Sequence, residues 1–101
     1  MSIQEKIQQQ INENNIVLYM KGNKELPMCG FSARAVNILK SCGADFITVD
    51  VLQDEELRQG IKTFSNWPTI PQLYVRGEFV GGSDIVAEMY ETGELKELVG
   101  V

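Results

Sequence analysis

The apolar run at residues 16–20 constrains the fold more than any other feature of this chain. These five residues, Ile-Val-Leu-Tyr-Met, follow one another without a polar interruption. A strand with apolar side chains on both faces is typical of a sheet that is covered on both sides. The polar segment 2–13 precedes it, and Ile3, Ile7 and Ile11 recur there every four residues, which predicts a helix with a narrow apolar stripe.

Further helix and strand patterns follow this strand. A polar loop at 21–27 comes next. The spacing of the apolar residues after it predicts a helix with one buried face, formed by Phe31, Ala35, Ile38, Leu39 and Cys42. Gly43 is a fitting stop for that helix. Residues 46–49 predict a second strand, and Asp54 is a plausible N-cap for a third helix. The apolar stripe of that helix is expected at Leu57, Ile61 and Phe64.

The C-terminal third predicts a hairpin and a last helical region. Residues 73–75 and 78–80 flank the dipeptide Arg76-Gly77, a two-residue connection that favours a hairpin. Ser83 or Asp84 is expected to cap the final helix, which Gly93 breaks before a short last turn. Its inward residues are expected to be Ile85, Met89 and Tyr90. The order of elements predicts an α/β fold, one four-stranded mixed sheet flanked by helices on both faces.

Length and charge narrow the class of protein. The 101 residues predict one domain spanning 1–101. A net charge of -5 argues against nonspecific binding to nucleic acid or to anionic membranes. No apolar run approaches the ~18–20 residues of a membrane span. The first residues resemble neither a secretory signal nor a transit peptide.

Two cysteines and no histidine limit the chemistry further. A histidine base is excluded, and two cysteines alone cannot form a four-ligand zinc site. If Cys29 and Cys42 lie on one helix, they are about 20 Å apart, whereas a disulfide requires Cα atoms within about 7 Å. We expect Cys42 to be inert core and both thiols to stay free, which suits a reducing compartment and predicts a cytoplasmic protein.

Cys29 stands where the first strand gives way to a helix. Unpaired N–H groups and the positive end of the helix dipole favour a thiolate there, and the thiolate is both the nucleophile and the metal ligand. Ser32 occupies the position at which a two-cysteine redox motif has its second sulfur. Cys29 must therefore complete its chemistry with a sulfur from a small thiol, from another protein or at a metal centre.

Four blocks of sequence carry a resemblance to a known family. They are Lys21, residues 29–32 (Cys-Gly-Phe-Ser), residues 67–72 (Trp-Pro-Thr-Ile-Pro-Gln) and residues 81–85 (Gly-Gly-Ser-Asp-Ile). In this order and spacing the chain resembles the monothiol glutaredoxins of the Cys-Gly-Phe-Ser class over nearly its whole length. The resemblance implies a thioredoxin-like fold, glutathione binding, and a 2Fe–2S cluster held between two subunits.

The resemblance also implies roles for single residues near the thiol. Cys29 is the expected cluster ligand and nucleophile. Lys21 and Arg58 are expected to face the glycyl carboxylate of glutathione, and a lysine there would also lower the pKa of Cys29. Lys24 is a weaker candidate for the same task. Trp67 is expected to pack beside the site or to contact a partner.

Two further blocks are expected to hold the rest of glutathione. The Ile70–Pro71 bond is expected to be cis, with the backbone of Ile70 pairing with the cysteinyl part of the ligand like an added strand. At the γ-glutamyl end, the backbone N–H groups of Ser83 and Asp84 suit the α-carboxylate and the Asp84 side chain suits the ammonium. For Ser83 and Asp84, plain helix capping is the alternative.

Counting ligands predicts how a cluster would be held. A 2Fe–2S cluster commonly takes four thiolates, and this chain offers one credible ligand, Cys29. Two chains and two glutathione thiolates complete the set, so a cluster implies a homodimer with bound glutathione. The class resembled also implies a BolA-like partner and iron–sulfur acceptor proteins. The leading hypothesis is therefore glutathione-dependent 2Fe–2S binding and delivery.

Two other functions stay open on the sequence. The first is a glutathione-dependent thiol-disulfide oxidoreductase, in which Cys29 removes glutathione from a modified protein. That single-thiol route needs no residue at position 32. The second is a redox-inert adaptor that uses the fold only for docking.

Overall fold

A four-stranded mixed sheet forms the centre of the structure, a computed structural model that describes residues 2–100. Its strands are β1 (Ile16–Met20), β2 (Ile47–Asp50), β3 (Gln72–Val75) and β4 (Glu78–Gly81). Its helices are α1 (Ile3–Glu13), α2 (Gly30–Ser41), α3 (Glu55–Ser65), α4 (Ser83–Thr92) and α5 (Glu94–Val99), with a short 3₁₀ helix at Val51–Gln53. The strand order is β2-β1-β3-β4. Strand β1 pairs parallel with β2 and antiparallel with β3, and β3 pairs antiparallel with β4. The predicted fold class is confirmed.

Strand β1 separates two apolar cores. All five of its residues are buried, as the unbroken apolar run predicts. Ile16, Leu18 and Met20 contribute to the core beneath α2, α4 and α5. Val17 and Tyr19 contribute to the core beneath α1 and α3. Alternate side chains of one strand therefore hold helices on both faces of the sheet.

The local signals at several element ends are confirmed. Asp54 caps α3, and its carboxylate accepts a hydrogen bond from the Leu57 backbone N–H at 3.2 Å. Arg76 and Gly77 both have positive φ, at 49° and 81°, as a two-residue hairpin turn that matches the strand twist requires. In α1 the stripe buries Ile7 and Ile11 completely or nearly so.

Three predictions about helix faces are wrong. Phe31 was expected in the core, but its side chain is 63% exposed. It is an early residue of α2, where side chains lean towards the N-terminus and so beyond the edge of the sheet. Ile85 and Tyr90 were expected to face inward, but both are exposed, and α4 buries Val86 and Ala87 instead. The helix packs through its Ser83–Val86–Ala87 face, which turns Ile85 towards the opening beside Gly82.

Smaller differences concern boundaries. The second strand begins one residue later than predicted, and Phe46 is buried just before it. The N-cap of α4 is Gly82, so neither Ser83 nor Asp84 caps this helix. Within residues 2–100 no helix has the length and apolar character that a membrane span requires.

Candidate functional site

Cys29 lies at the N-cap of α2, at the end of the loop that follows β1. Its backbone is extended and its side chain is partly exposed. The pKa of its thiol is below the ordinary value, chiefly because the backbone N–H of Ser32 favours the thiolate. Partial burial opposes this shift, while the Phe31 N–H, the charge of Lys21 and the Ser32 hydroxyl add to it. The helix start predicted from the sequence therefore favours a reactive thiolate, as expected.

Ser32 ties the end of β1 to the start of α2. Its side chain is completely buried, and its Oγ accepts a hydrogen bond from the Lys21 backbone N–H at 3.2 Å. The residue that replaces a second redox cysteine thus fixes the position of the lysine beside Cys29.

The two ends of the loop between Lys21 and Cys29 are joined by a hydrogen bond from the Met28 backbone N–H to the Lys21 carbonyl at 2.9 Å. Gly22 adopts a φ of +86°, and a side chain there would collide with the Leu26 carbonyl and the Met28 backbone. The Gly22 N–H donates to the Asp50 carboxylate at 3.0 Å. These contacts fix the approach of the chain to the thiol.

Lys24 does not contribute to the site. Its Nζ donates to the Phe46 carbonyl at 2.7 Å and lies over the Phe46 ring. The weaker candidate for carboxylate binding is therefore used to anchor the loop to the strand region behind it.

Two adjoining recesses lie near the start of α2, and Cys29 lines one of them. The first, called the cationic recess here, is lined by Lys21, Cys29, Phe31, Arg58, Lys62, Pro68, Thr69 and Ile70. Three of the nine basic residues of an acidic chain thus line one opening. Among residues 2–100, the buried Arg58 Nε has no hydrogen-bond partner. This recess suits a carboxylate that approaches the thiol.

The second recess, called the glycine recess here, lies at the start of α4. It is lined by Phe31, Trp67, Thr69, Ile70, Pro71, Gly82, Ser83, Asp84 and Ile85. The buried Ser83 Oγ finds no hydrogen-bond partner in the described part of the chain. The helix start offers N–H groups to an anion, and the exposed Asp84 carboxylate offers a partner to a cation. Asp84 forms a loose surface pair with Arg34 at 3.4 Å.

The two recesses share one wall. Phe31, Thr69 and Ile70 line both of them, and the Ile70–Pro71 peptide bond is cis, as predicted. The structure therefore brings together all six predicted site residues, which are Lys21, Cys29, Arg58, Ile70, Ser83 and Asp84. The cationic recess suits a carboxylate beside the thiol, and the glycine recess offers N–H groups to an anion and the Asp84 carboxylate to a cation.

Several lining residues were not singled out as site residues from the sequence, among them Lys62, Phe31 and Thr69. Lys62 follows Arg58 by one helical turn, and this i, i+4 spacing is the signal that could have found it. Phe31 was assigned to the core, and Thr69 was treated only as part of the turn. Their exposure beside the thiol follows from the tertiary arrangement, which the sequence pattern does not contain.

Comparisons with known proteins agree with this geometry. The family model for glutaredoxin matches residues 16–80. An uncharacterized monothiol glutaredoxin ycf64-like of Synechocystis is 56% identical over 95% of this chain and 90% of its own length. Glutaredoxin 4 of Escherichia coli K12 is 58% identical over 94% of this chain and 83% of its own length.

A solved structure extends the likeness to three dimensions. The solution structure of reduced poplar apo GrxS14 has a TM-score of 0.83 and 49% identity, over 94% of this chain and 87% of that one. The sheet order, the Cys-Gly-Phe-Ser helix start and the family model all point the same way. The chain therefore belongs to the glutaredoxin family.

Proposed function

We propose that glutathione binds across both recesses, with its thiol beside Cys29. The glycyl carboxylate meets Lys21 and Arg58, with Lys62 as a third cation. The cysteinyl part pairs with the backbone of Ile70. What supports this arrangement most directly is that the two recesses share the wall of Phe31, Thr69 and Ile70, and that one of them is lined by Cys29, a partly exposed thiol with a lowered pKa.

The γ-glutamyl end of glutathione would occupy the glycine recess. Its α-carboxylate would meet the N–H groups of Ser83 and Asp84 and the buried Ser83 Oγ, which finds no partner within residues 2–100. Its ammonium would meet the Asp84 carboxylate, which only a loose surface pair engages. An unsatisfied buried hydroxyl is costly, so a ligand that supplies a partner for it gains affinity.

We propose further that the chain carries a 2Fe–2S cluster as its cargo. Within residues 2–100, no group of three or more histidine, cysteine, aspartate or glutamate side chains could hold a metal ion. Four thiolates are commonly required, and Cys29 is the one accessible thiol because Cys42 is buried. Two Cys29 thiolates and two glutathione thiolates complete the set in a homodimer.

The surface around Cys29 suits such an assembly. Leu26, Met28 and Phe31, all within three residues of Cys29 in sequence, are each more than 60% exposed. Exposed apolar side chains grouped at one place are typical of a contact surface. A second copy, a BolA-like protein or an acceptor could cover them in turn. Half of the cluster's ligands would be exchangeable glutathione, so acceptor thiolates could displace the donor's ligands and take the cluster. Two free cysteines suit a cytoplasmic setting for this exchange.

A second function is favoured by the same lowered pKa of Cys29. In a glutathione-dependent oxidoreductase, the Cys29 thiolate attacks the glutathione sulfur of a protein mixed disulfide and releases the protein thiolate. A second glutathione thiolate then attacks the Cys29 mixed disulfide. This step frees Cys29 and forms glutathione disulfide, so electrons and atoms balance without a second protein thiol.

Anaerobic reconstitution distinguishes the two functions. The protein is incubated with iron, sulfide and excess glutathione, and then analysed by visible absorption during size-exclusion chromatography. Cluster transport predicts charge-transfer bands that elute with a dimer and disappear without glutathione or in Cys29→Ser. Cys42→Ser is the matched control and should retain both the charge-transfer bands and the dimer. A colourless monomer that turns over glutathionylated protein would instead establish the oxidoreductase.

A further inference from the structure

A buried glutamine lies directly behind the wall that the two recesses share. Gln72, the first residue of β3, has no exposed surface. Its Nε2 donates to the carbonyl oxygens of Trp67 at 3.2 Å and of Thr69 at 3.1 Å. Both acceptors belong to the segment that leads to Ile70. One buried amide group therefore holds two points of the recess wall.

The hydroxyl of Tyr74 sets the direction of this amide. Tyr74 is 1% exposed, and its hydroxyl donates to the Gln72 Oε1 at 3.1 Å. An amide carries its acceptor at one end and its donors at the other. A donor placed at Oε1 therefore leaves the NH₂ group directed at the two carbonyls. Burial raises the pKa of Tyr74 to about 12, so the hydroxyl keeps its proton at neutral pH.

The same segment is also held through the backbone N–H group of Trp67. The Trp67 N–H donates to the Ser65 Oγ at 3.1 Å and to the Lys62 carbonyl at 3.1 Å. Trp67 is thus held through both its N–H and its carbonyl. Thr69 and Ile70 form the part of the segment that faces the thiol. Among the side-chain hydrogen bonds of residues 2–100, only the one from the Gln72 amide holds this part.

We propose that Tyr74 and Gln72 form a buried positioning relay that pre-organises the backbone of residues 67–70 to receive glutathione. This inference rests on the proposed glutathione site. A wall that is already ordered pays less entropy on binding, so the relay acts on affinity although neither side chain lines a recess. Neither residue touches the reacting atoms, and both are positioning residues.

Tyr19 provides a matched control for Tyr74. It is also completely buried, its hydroxyl donates to the Gln10 Oε1 at 2.7 Å, and its ring packs edge-on against Tyr74 at 5.5 Å between centroids. That hydrogen bond leads to α1 and away from the recesses. Tyr19→Phe and Tyr74→Phe therefore each remove one hydroxyl and one side-chain hydrogen bond, part-buried for Tyr19 and buried for Tyr74, but only Tyr74→Phe frees the Gln72 amide.

The chain contains a single tryptophan, Trp67, which lies in the segment and lines the glycine recess. Its fluorescence reports on both the free wall and ligand binding. Reduced glutathione is titrated anaerobically into wild type, Tyr74→Phe, Tyr19→Phe and Gln72→Leu, while thermal unfolding is followed by circular dichroism.

The relay predicts a specific pattern. Tyr74→Phe should raise the glutathione Kd about two- to tenfold, the value of one hydrogen bond, and shift Trp67 emission before ligand is added. Gln72→Leu should raise the Kd at least as much. Tyr19→Phe should lower the unfolding temperature but leave the Kd and the emission unchanged.

Two results would overturn the proposal in different ways. If wild type binds glutathione and Tyr74→Phe keeps the same Kd and emission as Tyr19→Phe, the relay is wrong and the glutathione site stands. If wild type does not bind glutathione, the proposed function fails and the relay fails with it.

Discussion

Asp50 joins the end of β2 to the loop that carries Cys29, and its removal has a cost that can be worked out. Its Oδ1 accepts hydrogen bonds from the backbone N–H groups of Leu52 at 2.9 Å and Gly22 at 3.0 Å. The first is a local cap of the 3₁₀ helix. The second spans 28 residues of sequence and fixes the loop. Asp50→Ala removes both.

Asp54→Ala is the matched control, because Asp54 also caps a helix but does so only through the local bond to Leu57. Loss of such a cap costs about 1 kcal/mol. Asp50→Ala should lose that amount and also a hydrogen bond to a charged acceptor, which adds about 1.5 kcal/mol at the low end of the range. We use the low end because Asp50 is only half-buried. The expected loss in free energy of unfolding is about 2.5 kcal/mol for Asp50→Ala and about 1 kcal/mol for Asp54→Ala.

The pH dependence gives a second check on Asp50. Burial alone would raise its pKa, but the N–H groups of Leu52 and Gly22, with the Gln53 amide, outweigh burial and lower it below 3.8. A carboxyl group whose pKa is lowered by folding stabilises the protein above its ordinary pKa. The difference between wild type and Asp50→Ala should therefore be constant above about pH 5 and shrink as the pH falls below about 4.

Urea unfolding followed by far-ultraviolet circular dichroism measures both quantities. Alkylation of Cys29 by iodoacetamide, measured in parallel, reports whether the loop still holds the thiol in place. Equal losses in Asp50→Ala and Asp54→Ala would refute the role given to the long-range bond, and so would a difference that persists unchanged at pH 3.

Three further predictions test the site and the packing. Lys62→Ala should weaken glutathione binding about two- to fivefold, the usual value of one exposed charge contact, while Lys96→Ala on α5 leaves it unchanged; calorimetric titration measures both. Phe31→Ala should change the free energy of unfolding by less than about 0.5 kcal/mol, whereas Leu39→Ala, fully buried on the same helix, should cost about 2–5 kcal/mol. The alkylation rate of Cys29 should reach half of its maximum at a pH below 9.0, because the pKa of its thiol is lowered.

Each of these has a clear contrary outcome. Equal effects of Lys62→Ala and Lys96→Ala on glutathione binding would show that the overall charge of the protein, and not the cationic recess, determines the affinity. A large loss in free energy of unfolding in Phe31→Ala would show that the Phe31 side chain packs in the core. A midpoint for Cys29 alkylation at or above 9.0 would remove the preference for thiolate on which both proposed functions rest.

The sequence predicts those parts of the fold whose signals are local. The apolar run of β1, the Asp54 cap and the Arg76-Gly77 turn each depend on a few neighbouring residues, and each is confirmed. The face that α4 buries is different, because its orientation depends on where Gly82 starts the helix and on packing against α2. Ile85 and Tyr90 were therefore placed on the wrong side.

The candidate site shows the same division. Cys29 was found because a helix start and a lone thiol are visible in one stretch of sequence. Lys62 and Gln72 act, in our proposals, through distances across the fold, and a single sequence contains no measure of those distances. The resemblance to a family supplied the remaining positions, and the geometry shows that they lie together.

The division of the core by β1 has a consequence for stability. Arg58 and Lys62 belong to α3 on one face of the sheet, whereas Ser83 and Asp84 belong to α4 on the other. A ligand that fills both recesses clamps the two helical layers across the end of the sheet. Heat resistance should therefore depend on ligand concentration, with about 2.7 kcal/mol gained at a hundred times the Kd. The unliganded chain is then the form most exposed to unfolding and proteolysis, so the supply of the ligand would also set how long the chain survives.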